Sequence, residues 1–166
     1  MLSRDATFAR SLIKTAVLLG PIALAAISAA PALAVSGPPQ VIYLFPGVYD
    51  NGSADFSGIA TAVHCFSFSP IQETIQYVVR NVDGTIAANK SEAINQFVTL
   101  TVETHGINIY NAVSLATGSL QQGVIGITAT STNIVCTAHI IDAGAAVPNG
   151  IELHGTRFNP IAGTQE

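Results

Sequence analysis

The sequence predicts an all-β protein, built as a sandwich of two sheets with about seven to nine strands. Short runs rich in Val, Ile, Thr and Tyr recur along the chain, separated by Gly, Pro, Asn and Asp. No stretch repeats apolar residues at the spacing of a sizeable helix. Two cysteines, Cys65 and Cys136, lie within these runs. We expect them to form one disulfide if the protein is exported.

The first 34 residues predict a bacterial export signal, which defines the compartment of the folded chain. An apolar run covers residues 15–28, and Ala32-Leu33-Ala34 forms a small-x-small cleavage site. The basic residues ahead of this run are Arg4, Arg10 and Lys14. Pro21 interrupts the run, which is too short for an anchor of about 20 residues. We expect cleavage, no transmembrane segment afterwards, and a periplasmic, surface or extracellular protein.

The expected mature chain, residues 35–166, carries few charges. It has three basic and nine acidic side chains, a net charge of −6 with neutral histidines. This balance excludes nucleic acid as a partner, because phosphate binding needs clustered Lys and Arg. Low charge also leaves open self-association through an edge strand, since charge repulsion helps to keep strand edges apart.

An extended leader is predicted at residues 35–39, where Gly and two Pro residues follow Ser. Residues 40–166 then have the length of a single domain. The first strand is predicted at residues 41–45, ended by Pro46-Gly47. A polar loop follows, and the second strand is predicted at residues 60–68, with Cys65 inside it.

The clearest hairpin is predicted around Asp83-Gly84, a pair that tolerates the positive φ angles of a tight turn. The strand before it, residues 74–80, alternates between apolar and polar positions. Its partner is predicted at residues 85–89. The later strands are predicted at residues 98–102, 107–115, 124–130, 133–142 and 151–158.

One face of the strand at 133–142 is predicted to carry Ile134, Cys136, Ala138 and Ile140, which places the Cys136 sulfur in the core. Cys65 lies in the second predicted strand and Cys136 in the next to last. This arrangement resembles the immunoglobulin-like sandwich. That resemblance implies a disulfide between the two sheets. The chain has no Trp, and Ile134 stands where that fold has a corner Tyr. A jelly roll or another Greek-key sandwich therefore stays open.

Three segments also resemble a group of small exported bacterial proteins of unassigned function. They are Val63-His64-Cys65, residues 133–138, and the tail at residues 150–160. The resemblance implies an exported protein. It carries over no activity, ligand or catalytic residue.

The histidines are the candidates for a metal site. Residues 103–106 and 152–155 repeat one Glu-x-His-Gly pattern near strand ends. If both ends lie at one rim of the sandwich, Zn or Cu could bind there. The four candidate ligands are His105, His154, Glu103 and Glu152. The alternative is that His-Gly ends a strand while the ring caps backbone groups.

His64 and His139 are predicted to stay apart. His64 neighbours Cys65, and His139 lies three residues after Cys136, so both side chains point away from the bridged face. If the bridge joins opposite sheets, the two rings lie on opposite outer surfaces.

No catalytic motif is present: neither Gly-x-Ser-x-Gly, nor His-Glu-x-x-His, nor a glycine-rich phosphate loop. A catalytic triad assembled in space stays open. The sequence favours a non-enzymatic exported module with a structural or binding role and no cofactor. The alternative is a Zn- or Cu-binding protein or a metal-dependent enzyme.

Overall fold

The structure is a computed structural model and describes residues 37–158. The predicted export signal, the first part of the leader and the chain after residue 158 lie outside the described residues. Within them the chain forms ten strands and no helix, hence none that could cross a membrane. The strands are β1 (Gln40–Asp50), β2 (Ile59–Ser67), β3 (Glu73–Arg80), β4 (Ile86–Ile94), β5 (Thr99–Glu103), β6 (Val113–Ser114), β7 (Leu120–Ala129), β8 (Ile134–Asp142), β9 (Ile151–Leu153) and β10 (Thr156–Arg157).

The strands form two five-stranded sheets, which confirms the predicted β-sandwich class. The first sheet has the order β10-β1-β7-β3-β4, and the second has the order β6-β5-β2-β8-β9. Every described pairing is antiparallel except that of β5 with β6.

The core between the sheets follows from alternation along the strands. On β3, Ile75, Tyr77 and Val79 are fully buried, while the residues between them are half-buried or exposed. The second sheet contributes Val63 and Ile134 to the same core. Burial of each large apolar side chain stabilises the fold by about 1.5 to 3 kcal/mol. The Asp83-Gly84 hairpin between β3 and β4 is confirmed.

The predicted Cys65–Cys136 disulfide is present, but its predicted position between the sheets is wrong. β2 and β8 are neighbours in the second sheet, and the two cysteines lie directly opposite each other. Their Cα atoms are 4.2 Å apart, the close spacing of a non-hydrogen-bonded antiparallel pair. The bridge therefore fixes the register of two adjacent strands, which the immunoglobulin-like pattern had assigned to different sheets.

The first strand does not end at Pro46-Gly47 as predicted, but continues to Asp50. Its register against β7 shifts on both sides of Val48. On the other side of β1, β10 pairs only with Tyr43 and Leu44. Among the described residues, no second ladder requires the missing N–H of Pro46, which lies next to a bulge that tolerates the interruption.

The predicted strand at residues 107–115 is mostly wrong, because only β6 forms within it. The segment at residues 104–112 instead crosses the outer face of the second sheet. There Ile107 forms a second, smaller core with buried alanines of β2 and with Ile141. The apolar spacing of this segment reflects that packing. Ile140, predicted on the main core face, is only half-buried.

The last predicted strand is broken in two at His154-Gly155. β9 pairs with β8 in the second sheet, and β10 pairs with β1 in the first. The chain thus crosses between the sheets at this point. A Cβ atom at Gly155 would overlap the ring of Phe45, so only glycine fits this crossing.

Replacing both cysteines by alanine should lower the free energy of unfolding by about 4 kcal/mol, because the bridge closes a loop of about 70 residues in the unfolded chain. Urea unfolding of C65A/C136A against the parent protein measures this loss. Alkylation of both cysteines in the unreduced parent, or equal stability of the two proteins, would contradict the bridge.

Candidate functional site

His105 lies just after β5 in a buried polar cluster at one end of the sandwich. Its Nδ1 donates to Asp50 Oδ2 at 2.7 Å, and its Nε2 donates to the Ser57 carbonyl oxygen at 3.0 Å. Asp50, at the end of β1, is 1% exposed. Burial, the largest influence, lowers the pKa of His105, but the hydrogen bonds to Asp50 and Ser57 and the charges of Asp50 and Asp55 raise it overall.

Both ring nitrogens of His105 are therefore occupied, and neither presents a lone pair to a metal ion. The ring holds the loop at residues 51–58 against the end of β5. Two nearby carboxylates also form hydrogen bonds with the backbone. Asp55 accepts a hydrogen bond from the Gly106 N–H at 2.8 Å, and Glu103 accepts one from the Ile107 N–H at 3.1 Å. Burial raises the pKa of Glu103. The His105 ring thus caps a backbone carbonyl, which is the alternative to metal binding that the sequence left open.

His154 lies at the crossing between the sheets, where it is exposed. It lines a cleft of about 590 Å³ beside the tail, together with Tyr43, Val135, Cys136, Thr137, Gly155, Thr156 and Arg157. The Arg157 guanidinium in this cleft forms hydrogen bonds and an aromatic contact within the protein. It donates to Tyr43 Oη at 2.6 Å and to the Thr132 carbonyl oxygen at 2.7 Å, and it lies over the Tyr43 ring.

The predicted four-ligand metal site at one rim is not formed. Within residues 37–158, no group of three or more His, Cys, Asp or Glu side chains is arranged to hold a metal ion. His105 and Glu103 belong to the buried polar cluster, His154 lies at the sheet crossing, and Glu152 lies on β9 opposite His139. The repeated Glu-x-His-Gly pattern marks two strand ends.

The prediction that His64 and His139 stay apart is wrong. Because the disulfide lies within one sheet, both histidines project from the outer face of that sheet. Their ring centroids are 5.7 Å apart, with ring planes inclined by 55°. Burial, and then the charge of His139, lower the pKa of His64.

The two histidine rings differ in their contacts. Nδ1 of His64 is hydrogen-bonded to Thr101 Oγ1 at 2.9 Å, and Tyr110 contacts this ring edge-on at a centroid distance of 4.7 Å. Nδ1 of His139 is buried and has no hydrogen-bond partner in the described part of the chain. The outer face of the second sheet thus contains a buried polar atom that no described residue satisfies.

An aromatic cluster, formed by Phe66, Phe68 and Phe97, continues the same outer face beyond His64. The centroid of Phe66 lies 4.8 Å from that of Phe68 and 6.5 Å from that of Phe97. Phe68 is 49% exposed and Phe97 is 66% exposed. A contiguous exposed apolar patch is typical of an interaction surface, whereas isolated exposed apolar side chains are ordinary.

The backbone holds Phe97 in this exposed position. Its φ angle is 58°, in the left-handed region, which a bulky side chain rarely adopts. The Phe97 N–H donates to the Ser67 carbonyl oxygen at 2.8 Å, and the Ser67 N–H donates to the Val98 carbonyl oxygen at 3.2 Å. Such a conformation costs about 1 to 3 kcal/mol, and at binding sites this strain is often functional.

β4, at the edge of the first sheet, is the longest edge strand among the described residues, with nine residues. Lys90 and Glu92 point to its inner side, opposite Tyr77 and Ile75. Lys90 donates to the Ser114 carbonyl oxygen at 3.1 Å and lies 3.7 Å from Glu92. Inward-pointing charges of this kind oppose the addition of another strand. Self-association through an edge stays a prediction.

No protein-family model matches this sequence, and no curated protein is significantly similar to it. Among solved structures, the chain is similar to the "Crystal Structure of Thermotoga maritima 1070". The TM-score is 0.49 and the sequence identity is 12%, over 78% of this chain and 98% of that chain.

Replacing His105 by leucine should lower the free energy of unfolding by about 3 kcal/mol, because the Asp50 carboxylate stays buried without its charged partner. Urea unfolding near pH 6 measures the loss. His154→Leu is the matched control and should change stability by less than about 0.5 kcal/mol, because His154 is exposed. If both substitutions lowered the free energy of unfolding equally, His105 would not hold the loop at residues 51–58 in place.

The contribution of His105 should depend on pH. Its pKa in the folded protein lies above 6.5, its ordinary value. The stabilisation is therefore complete below about pH 6.5 and is lost as the pH rises through the folded-state pKa. Urea unfolding of the parent and of H105L at several pH values between about 6 and 9 measures the difference in their free energies of unfolding. This difference should become smaller as the pH rises. A difference that grows towards alkaline pH would contradict the raised pKa of His105.

Proposed function

We propose that this chain is an exported, non-enzymatic binding module whose binding face is the outer surface of the second sheet. Two observations support export: the N-terminal signal pattern and the Cys65–Cys136 bridge, which is typical of oxidising compartments. The absence of any catalytic motif in the sequence favours binding over catalysis.

The aromatic cluster is the observation that carries the proposal. Phe68 and Phe97 present large apolar surfaces to water, and the left-handed backbone at Phe97 fixes one of these rings in place. Exposed aromatic side chains with a fixed geometry bind at low entropic cost, because little conformational freedom is lost on contact.

The chemistry of this face favours a neutral glycan. The aromatic cluster is uncharged, and hydroxyl groups lie beside it, since Thr99 and Thr101 pair with Phe66 and His64 across β5 and β2. Sugar rings combine an apolar face with a polar edge. Binding sites that pair aromatic surfaces with a few polar groups suit such ligands.

Two other classes of partner fit this face less well. Single-stranded nucleic acid also stacks on aromatic rings, but it needs a basic groove, and residues 35–166 hold only three basic side chains. A stable protein interface uses roughly 20 to 30 residues on each side, far more than the aromatic cluster offers. A narrow ligand that covers a few side chains fits better.

Replacing Phe97 by alanine should weaken binding to a neutral polysaccharide about tenfold or more, because burial of a Phe side chain against a ligand contributes about 1.5 to 3 kcal/mol. The measurement is retention of the exported protein, expressed from the full-length gene, on insoluble cellulose, chitin and starch. We expect the parent protein to bind at least one of them.

Phe56→Ala is the matched control for this substitution. Phe56 also has a positive φ angle, 62°, and is 60% exposed, but it lies in the loop between β1 and β2. F56A should bind as the parent does. Equal losses in both variants, or no retention on any of the three polysaccharides, would overturn the glycan proposal. Concentration-dependent sedimentation that F97A abolishes would reassign the face to self-association.

A further inference from the structure

We propose that His64 and His139 bind a divalent transition-metal ion on the outer face of the second sheet, with Glu152 as a third ligand. The site shares only Glu152 with the four-residue site that the sequence suggested. It does not depend on the proposed glycan ligand, because the aromatic cluster and the histidine pair are different residues of one face.

The spacing of the two rings suits a shared metal ion. Metal–nitrogen bonds to histidine are about 2.0 to 2.1 Å long, which places two imidazole centroids on one metal roughly 5 to 6 Å apart. The centroids of His64 and His139 are 5.7 Å apart, and the inclined ring planes keep the rings from stacking on each other.

His64 is held in place by groups that do not compete for a metal. The hydrogen bond between its Nδ1 and the Thr101 hydroxyl leaves Nε2 as the ring nitrogen available to a metal ion. Metal-binding histidines commonly use one nitrogen for the metal and the other for a hydrogen bond that fixes the ring. Thr101 has that second role here, and Tyr110 limits movement of the ring from one side.

His139 supplies the independent indication of a ligand. Its Nδ1 atom is buried and has no hydrogen-bond partner among residues 37–158. An unpaired nitrogen away from water is unfavourable unless something satisfies it. A metal ion between the rings would satisfy it directly.

Glu152 lies directly opposite His139 in the β8–β9 pairing and is exposed. Directly opposed residues have Cβ atoms about 5 Å apart on the same face of a sheet. The three residues do not form a cluster in the structure. A rotation of the exposed Glu152 side chain would bring its carboxylate to the metal, and water would complete the coordination. Two imidazoles and a carboxylate should bind Cu²⁺ more tightly than Zn²⁺.

Isothermal titration of the exported protein, prepared without a histidine tag, with Cu²⁺ and Zn²⁺ tests the site. We expect one equivalent of each metal and tighter binding of Cu²⁺. His64→Gln and His139→Gln should each weaken binding at least tenfold, and Thr101→Val about tenfold. Glu152→Gln should weaken it by a smaller factor. His154→Gln, which removes an exposed histidine, should bind as the parent does.

Electron paramagnetic resonance of the Cu²⁺-loaded protein gives a second readout that does not depend on affinity. The parent should show coupling to two imidazole nitrogens, and H139Q should show at most one. Circular dichroism of each variant confirms that it is folded. No stoichiometric binding by the parent, unchanged binding by H139Q, or an equal loss in the His154 control would overturn the proposal.

Discussion

The arrangement of the second sheet depends on one constraint, the disulfide between directly opposed residues of β2 and β8. Cys65 and Cys136 face each other inside the sheet, so the register of these strands cannot slip. Side chains alternate between the faces of a sheet, and a slip by one residue would exchange inner and outer positions. The bridge therefore keeps the cysteines in the core and places His64 and His139 together on the outer surface.

That outer surface is covered at one end and open at the other. Ile107 and its neighbours cover the end where β2 begins, and the His105–Asp50 pair holds the adjoining loops together. The cover reaches as far as Tyr110, whose ring contacts His64. Beyond that point none of residues 37–158 covers the face, and there the chain presents the aromatic cluster of Phe66, Phe68 and Phe97. The uncovered part of the sheet is thus the part that carries the proposed ligand contacts.

Local patterns predicted local structure well. The alternation of β3 and the Asp83-Gly84 turn predicted the hairpin, and the cysteines predicted the bridge. The order of strands in a sheet depends on pairing between distant segments. The alternation of residues along one strand gives no information about that pairing. For that reason the sequence predicts a bridge between the sheets and the two histidines on opposite surfaces, and both predictions are wrong. A signal for the open face was present, since His64, Phe66 and Phe68 alternate at a period of two residues. Phe66 and Phe68 lie where no described segment covers the sheet, which the alternation by itself does not show.

The central claim is that β2 and β8 are adjacent strands whose outward side chains form one functional face. Nuclear Overhauser spectroscopy of the metal-free protein tests it most directly. The account predicts cross-peaks between the ring protons of His64 and His139, and between those of Phe66 and Phe97. It also predicts the backbone cross-peaks of antiparallel strands with Cys65 opposite Cys136. Absence of the histidine cross-peaks, with β2 and β8 each paired to other strands, would contradict it.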